Sequence, residues 1–160
     1  MSNSDAKPSM AGSVASALLT VFGDIEVQGR ALDASTIYRL LTEERVWLFS
    51  RKIAPVPGTQ VLFYRVGSGF VGSAVVVAVA DDRHNESTAL RSFPERMYPY
   101  KIHLSAVRTF AHSVDVRPLL PKLSFVRNKT YWGHSFRTSP RMIPASDCRL
   151  IIDTANGANV

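Results

Sequence analysis

Val61-Leu-Phe-Tyr-Arg-Val-Gly67, continued by Ser68-Gly-Phe-Val-Gly-Ser-Ala-Val-Val-Val-Ala-Val79, reads as two strands joined at Gly67-Ser68-Gly69. The near-continuous apolar run Ala74 to Ala80 suits a strand covered on both sides, or one in a barrel. Upstream, Val46 to Ser50 reads as a strand carrying Trp47, and Lys52 to Thr59, with Pro55, Pro57 and Gly58, reads as loop. Downstream, a polar stretch with a short helix over Ser87 to Phe93 leads to a long strand, Tyr98 to Phe110. There Ile102, Leu104 and Ala106 alternate against Lys101, His103 and Ser105 until Val107 and Phe110 fall out of phase, which predicts a bulge near Ala106. Val114 to Leu123, with Pro118 and Pro121, allows one helical turn at most. Phe125 to Arg137 is basic and aromatic and reads as loop and strand. Met142-Ile143 reads as a last strand, before a helix that starts at Pro144, buries Cys148, Leu150, Ile151 and Ile152, and ends at Asn156-Gly157.

The N-terminal part reads differently. Met1 to Ser9 has the composition of a disordered start. Val14, Ala17, Leu18, Val21 and Phe22 fall at helical spacing with Gly23 as a stop, and Ile25 to Val27 is a short strand or a tie. Asp33 or Ser35 caps a further helix with Ile37, Leu40 and Leu41 on its apolar stripe. The expected organisation is a helical extension over 10–45 packed on a domain over 46–155, with a tail at 156–160. Helices followed by curved strands and short helical turns argue for an α+β domain around an open, partly closed barrel of five or six strands with flanking short helices.

A chain of 160 residues, 46% apolar, is enough for one core. No run approaches the roughly 18 apolar residues that cross a bilayer, so no membrane partner is expected, and Met10 to Phe22 lacks the character of a secretory signal. The single cysteine, Cys148, excludes an internal disulfide framework and fits a reducing, cytoplasmic setting. Charge is unevenly placed. Residues 1–82 carry 7 basic and 8 acidic side chains, and residues 83–160 carry 12 and 5. Between Val116 and Ser146 there is no carboxylate, while Arg117, Lys122, Arg127, Lys129, Arg137 and Arg141 all fall there. This asymmetry is what a polyanion-facing surface needs, because each neutralised phosphate releases counterions. A basic solubilising face has the same composition.

The order of these segments resembles a known family. The tryptophan strand, then Pro57-Gly-Thr-Gln-Val-Leu-Phe-Tyr64, then Gly69-Phe-Val-Gly-Ser-Ala-Val-Val76 is similar to the EVE domain of the PUA-like superfamily, related to YTH and ASCH domains. Tyr98-Pro-Tyr-Lys-Ile-His-Leu104, Val114-Asp-Val-Arg-Pro-Leu-Leu120 and the segment Ile143 to Ile151 follow in the expected order. The match covers roughly Val46 to Ile152 and rests on the ordering rather than on one motif. It implies a PUA-like open barrel with a pocket for a flipped or modified base of DNA or RNA, and use as the targeting part of a restriction or defence system alongside a partner nuclease.

Base recognition needs stacking surface and a few hydrogen-bonding groups. The residues expected to supply them are Trp47, where the resemblance puts a tryptophan on the first strand, with Ser50, Tyr64, Phe70, Trp132 and His134. Trp47, Phe70 and Trp132 are expected to wall one pocket. Trp47 also reads as a core residue under the N-terminal helices, and Phe70 as a plug at a strand start. Arg51, Lys122, Arg127, Lys129, Arg137 and Arg141 are the candidate phosphate contacts. No catalytic residue, cofactor or metal is expected: the four histidines lack ligand spacing, and Gly67-Ser-Gly69 lacks the helix of a phosphate loop. The alternatives are an ASCH-like hydrolase of a nucleotide or modified nucleoside, for which Lys52, Asp81 or His134 would serve, and a small-molecule sensor or protein-interaction module.

Overall fold

The computed structural model describes residues 16–157 apart from 81, 84, 85 and 138. The disordered start expected at 1–9 and the last three residues of the tail lie outside the described residues. Strands β1 (Ser16–Phe22), β2 (Ile25–Val27) and β3 (Arg30–Leu32) precede helix α1 (Ala34–Glu43). Then come β4 (Val46–Phe49), β5 (Gln60–Arg65), β6 (Gly69–Val79), β7 (Tyr100–Val114), β8 (Arg141–Pro144) and helix α2 (Ala145–Ala155). Six strands form one curled, mixed sheet in the order β4-β7-β6-β5-β1-β8, and β2-β3 is a separate ribbon. Neighbours are antiparallel except β1 and β5, which run parallel from Ala17 opposite Gln60 to Phe22 opposite Arg65.

The hairpin β5-β6 forms as the sequence predicts, turning at Gly67, where Gly69 takes φ 113°. A side chain at Gly69 would meet the Val114 carbonyl, so β6 can start there only with glycine. Asp33 caps α1, its carboxylate accepting the Thr36 N–H at 2.8 Å. Ala106 has φ 49° where β7 slips against β6, since Val75 pairs with Ser105 and Ser73 with Arg108. The expected bulge is there, and it bends a strand of 15 residues.

Three expectations fail. Val114 to Leu123, expected to allow one helical turn at most, carries a six-residue 3₁₀ helix, Arg117–Lys122. Ala17 to Phe22 is not helical but a strand between β5 and β8. Its apolar run is continuous because both faces are covered: Leu18 and Phe22 enter one core, Ala17 and Leu19 the other. Such a run satisfies helical and strand spacing alike. Ser16–Phe22 is therefore part of the sheet, while the helix expected after Asp33 forms as α1. Phe125 to Arg137 holds no strand; it is loop ending in a 3₁₀ turn, Trp132–Phe136. Two cores follow from the alternation of side chains along β1 and β5. One holds Leu18, Phe22, Ile37, Trp47, Val61 and Phe63, under α1. The other holds Leu19, Leu62, Tyr64, Phe70, Phe136 and Ile151, under α2 and the segment 116–136.

Candidate functional site

Four aromatic rings from four elements meet in the first core. Trp47 of β4 lies 5.3 Å from Phe22 of β1, edge-on, and 4.6 Å from Phe63 of β5, while Tyr38 of α1 stacks on Phe22 at 5.7 Å. The Tyr38 hydroxyl shares a hydrogen bond of 2.9 Å with Thr109 Oγ1. Next to this cluster, between the end of β1, α1, β4 and the loop before β7, is a cavity of about 190 Å³. Phe22, Trp47, Phe93 and Tyr98 supply its aromatic walls, and Val21, Gly23, Ile25, Ile37, Leu41 and Leu48 complete it. The volume suits one flat ring rather than a drug-sized ligand, whose pockets span roughly 300–1,000 Å³. Burial raises the Tyr98 phenol above its usual range, so it stays a neutral donor.

Charged side chains brace the wall of this cavity without entering it. Arg83, Glu86 and Lys101 have side chains only 2%, 7% and 8% exposed. Glu86 accepts from Arg83 at 2.7 Å and from Lys101 at 2.9 Å, and the Arg83 guanidinium donates onward to the carbonyls of Leu90, Phe93 and Tyr98. One arginine thus fixes the backbone on which two walls of the cavity are mounted. Burial alone would raise the Glu86 carboxyl, but the hydrogen bonds from Arg83 and Lys101 hold it below the usual range. Elsewhere the Val21 N–H donates to Ser139 Oγ at 2.8 Å, and Arg51 donates to the Pro140 carbonyl.

The second core carries a separate groove of about 320 Å³. Tyr64, Trp132, Asp115 and Arg117 line it with Ser113 and the turn Gly67-Ser68-Gly69. The Asp115 carboxylate accepts from Arg117 Nη2 at 2.9 Å and is held below its usual range by that side chain. Burial raises the Tyr64 phenol, and the Asp115 charge raises it further.

The predicted site residues therefore divide. Trp47 lines the first cavity and Tyr64 and Trp132 the second groove, on opposite faces of the sheet. Phe70 is fully buried beneath Tyr64, at 5.0 Å, and cannot be a wall for any ligand. Trp47, Phe70 and Trp132 do not wall a single pocket, because Trp47 packs in the first core and Phe70 and Trp132 in the second. Ser50 and His134 are exposed and line neither cavity. Lys122, Arg127, Lys129 and Arg137 are exposed, Lys129 also donating to the Leu123 carbonyl at 2.6 Å, and Arg141, half-buried, lies over the Phe125 ring. Of the residues considered for hydrolysis, Asp81 lies outside the described residues, and Lys52 and His134 line neither cavity. No group of side chains that could hold a metal ion occurs among the described residues. Sequence reasoning missed Phe22, Phe93, Tyr98 and the Asp115–Arg117 pair. Phe22 was hidden by the helical reading of β1. The Asp115–Arg117 pair has no periodic signal, because it forms where β7 ends and a 3₁₀ helix begins at Arg117.

No family model matches the chain. It is 27% identical over 128 residues to a UPF0310 protein of Pyrococcus abyssi, covering 71% of this chain and 89% of that one. It is 33% identical over 58 residues to a UPF0310 protein of Bacillus licheniformis, covering 36% and 38%. Among solved structures it is similar to a YTH domain-containing protein, mmi1, in complex with RNA, with a TM-score of 0.56, 11% identity, and 95% and 92% of the two chains covered. An ASCH protein of Zymomonas mobilis, solved as a point mutant, gives 0.54, 8%, and 85% and 96%. A hypothetical protein of Leishmania major gives 0.55, 15%, and 89% and 96%. At these identities the likeness is one of architecture, and the chain has the α+β PUA-like barrel fold that ASCH and YTH domains share.

Proposed function

We propose that the protein is an EVE-type nucleic-acid-binding module that holds one extruded, modified base in the cavity beside Trp47. The observation that carries this reading is the cavity itself: four aromatic residues surround a space of single-ring size, inside a fold shared with a YTH protein bound to RNA. Stacking on an aromatic ring contributes roughly 1–3 kcal/mol per base, enough to offset much of the cost of extruding one. An added methyl group is favoured by the apolar lining, since each buried CH₂ or CH₃ contributes about 0.8 kcal/mol. Trp47 is 4% exposed, so a base reaches its ring only through the cavity. The lining offers no carboxylate, imidazole or amine, which supports binding over hydrolysis.

The test is binding of the full chain to short single strands and duplexes of DNA and RNA, with and without 5-methylcytosine, 5-hydroxymethylcytosine or N6-methyladenine, at two salt concentrations. The expected result is preference for one modified oligonucleotide, lost by about 10-fold or more in Trp47→Ala. Equal affinity for every oligonucleotide, unchanged in that variant, would refute the base pocket.

A further inference from the structure

Trp132, half-buried, and Tyr64, buried with one side on the groove, are flat rings that the Trp47 cavity does not use. Phe136 wedges between their bases, 4.3 Å from Tyr64 and 5.9 Å from Trp132, so both are fixed by the core below. Beside them Asp115 receives Arg117 Nε at 3.1 Å and Nη2 at 2.9 Å. This contact occupies one edge of the guanidinium and leaves three of its five N–H groups for an acceptor. The Arg117 side chain is 72% exposed, and its orientation is set before any ligand arrives.

The surrounding charge belongs to the same face. Val116, Leu119, Leu120, Leu123, Phe125, Val126 and Phe136 root the carboxylate-free segment in the second core, and Lys122, Arg127 and Arg137 are exposed from it. Asp147 anchors that segment, accepting the N–H groups of Ser124 and Phe125 at 3.1 and 2.9 Å. The groove and the cavity also share a neighbour in Val66. The Val66 N–H donates to the Phe22 carbonyl at 2.9 Å, and Gly23 abuts the Val66 side chain. Phe22 and Gly23 line the cavity, and Gly67, next after Val66, lines the groove. Val66, an exposed residue, thus adjoins the linings of both.

We propose that this groove is a second nucleotide site, which takes a neighbouring nucleotide of the same single strand whose modified base occupies the Trp47 cavity. Its base stacks on Trp132 and Tyr64, and its phosphate lies on Arg117. The proposal rests on the base-pocket reading above, and the two can fail separately.

The experiment compares a modified nucleoside monophosphate with single-stranded hexanucleotides of RNA and of DNA that carry the same modified base, in wild type, Trp47→Ala, Trp132→Ala and Arg117→Gln. Wild type is expected to bind the better hexanucleotide about 5- to 150-fold more tightly than the monophosphate, the range that one further stacked base supplies. Trp132→Ala should remove that gain while leaving monophosphate affinity unchanged. Arg117→Gln, at an exposed position that folding does not need, should lower hexanucleotide affinity and reduce the salt slope by about 1. Hexanucleotide affinity that is the same in wild type, Trp132→Ala and Arg117→Gln overturns the second site. Loss in those two variants with no effect of Trp47→Ala would leave the groove standing and overturn the cavity. No binding of any oligonucleotide overturns both.

Discussion

Gly72 shows how tightly single residues constrain the aromatic cluster. A methyl group there would collide with the Tyr38 hydroxyl and lie 2.8 Å from the Arg108 carbonyl oxygen. The glycine therefore lets β6, β7 and α1 approach closely enough for Tyr38 to reach Thr109. We expect Gly72→Ala to destabilise the protein by about 1–3 kcal/mol in urea denaturation. Adding Tyr38→Phe should recover only part of this, since the backbone clash remains; full recovery would mean that the hydroxyl alone sets the constraint. Residue types were the least legible part of the sequence. Trp47, Tyr64 and Trp132 stand out by composition and all line cavities, yet nothing in composition separates Phe70, which is buried, from an aromatic that faces solvent. Cys148 reads as a core residue and is one. It is fully buried, and its thiol is pushed up to about 12 by that burial.

At the scale of elements, the knot of Arg83, Glu86 and Lys101 governs the loop that bears Phe93 and Tyr98. Glu86→Ala leaves two buried cations without their counter-charge and should cost about 3–5 kcal/mol. The pH dependence has a definite sign. Because the folded carboxyl is held below its ordinary value of 4.5, its contribution is fully present above that pH and is lost as pH falls through the folded value. Wild type should therefore lose stability below about pH 4.5 more steeply than Glu86→Gln in acid unfolding monitored by circular dichroism; parallel curves would show that the knot does not carry this linkage. Elements with local signals were legible: the glycine hairpin β5-β6, the Asp33 cap of α1, and the bulge at Ala106. The strand β1 was not, because an apolar run covered on both faces has no period to read. Its residues Ser16–Phe22 join the sheet, while α1 of the same N-terminal part is the helix that the sequence predicts.

For the whole molecule, the sheet divides what the sequence had gathered into one site. The charge asymmetry was visible at once, but which face it served depended on which core the segment 116–136 entered, and that is a property of tertiary packing. On the proposed reading, a bound strand spans both faces of the sheet, from the cavity at Trp47 to the groove at Trp132. The claim on which this picture depends is that a modified base stacks on Trp47. The chain has two tryptophans, so Trp132→Phe leaves Trp47 as the sole indole fluorophore and keeps an aromatic ring in the groove. Titrating this variant with the preferred modified nucleoside should quench Trp47 emission saturably, with the same midpoint as calorimetry. Calorimetric binding with no change in Trp47 emission would contradict the account and place the base elsewhere.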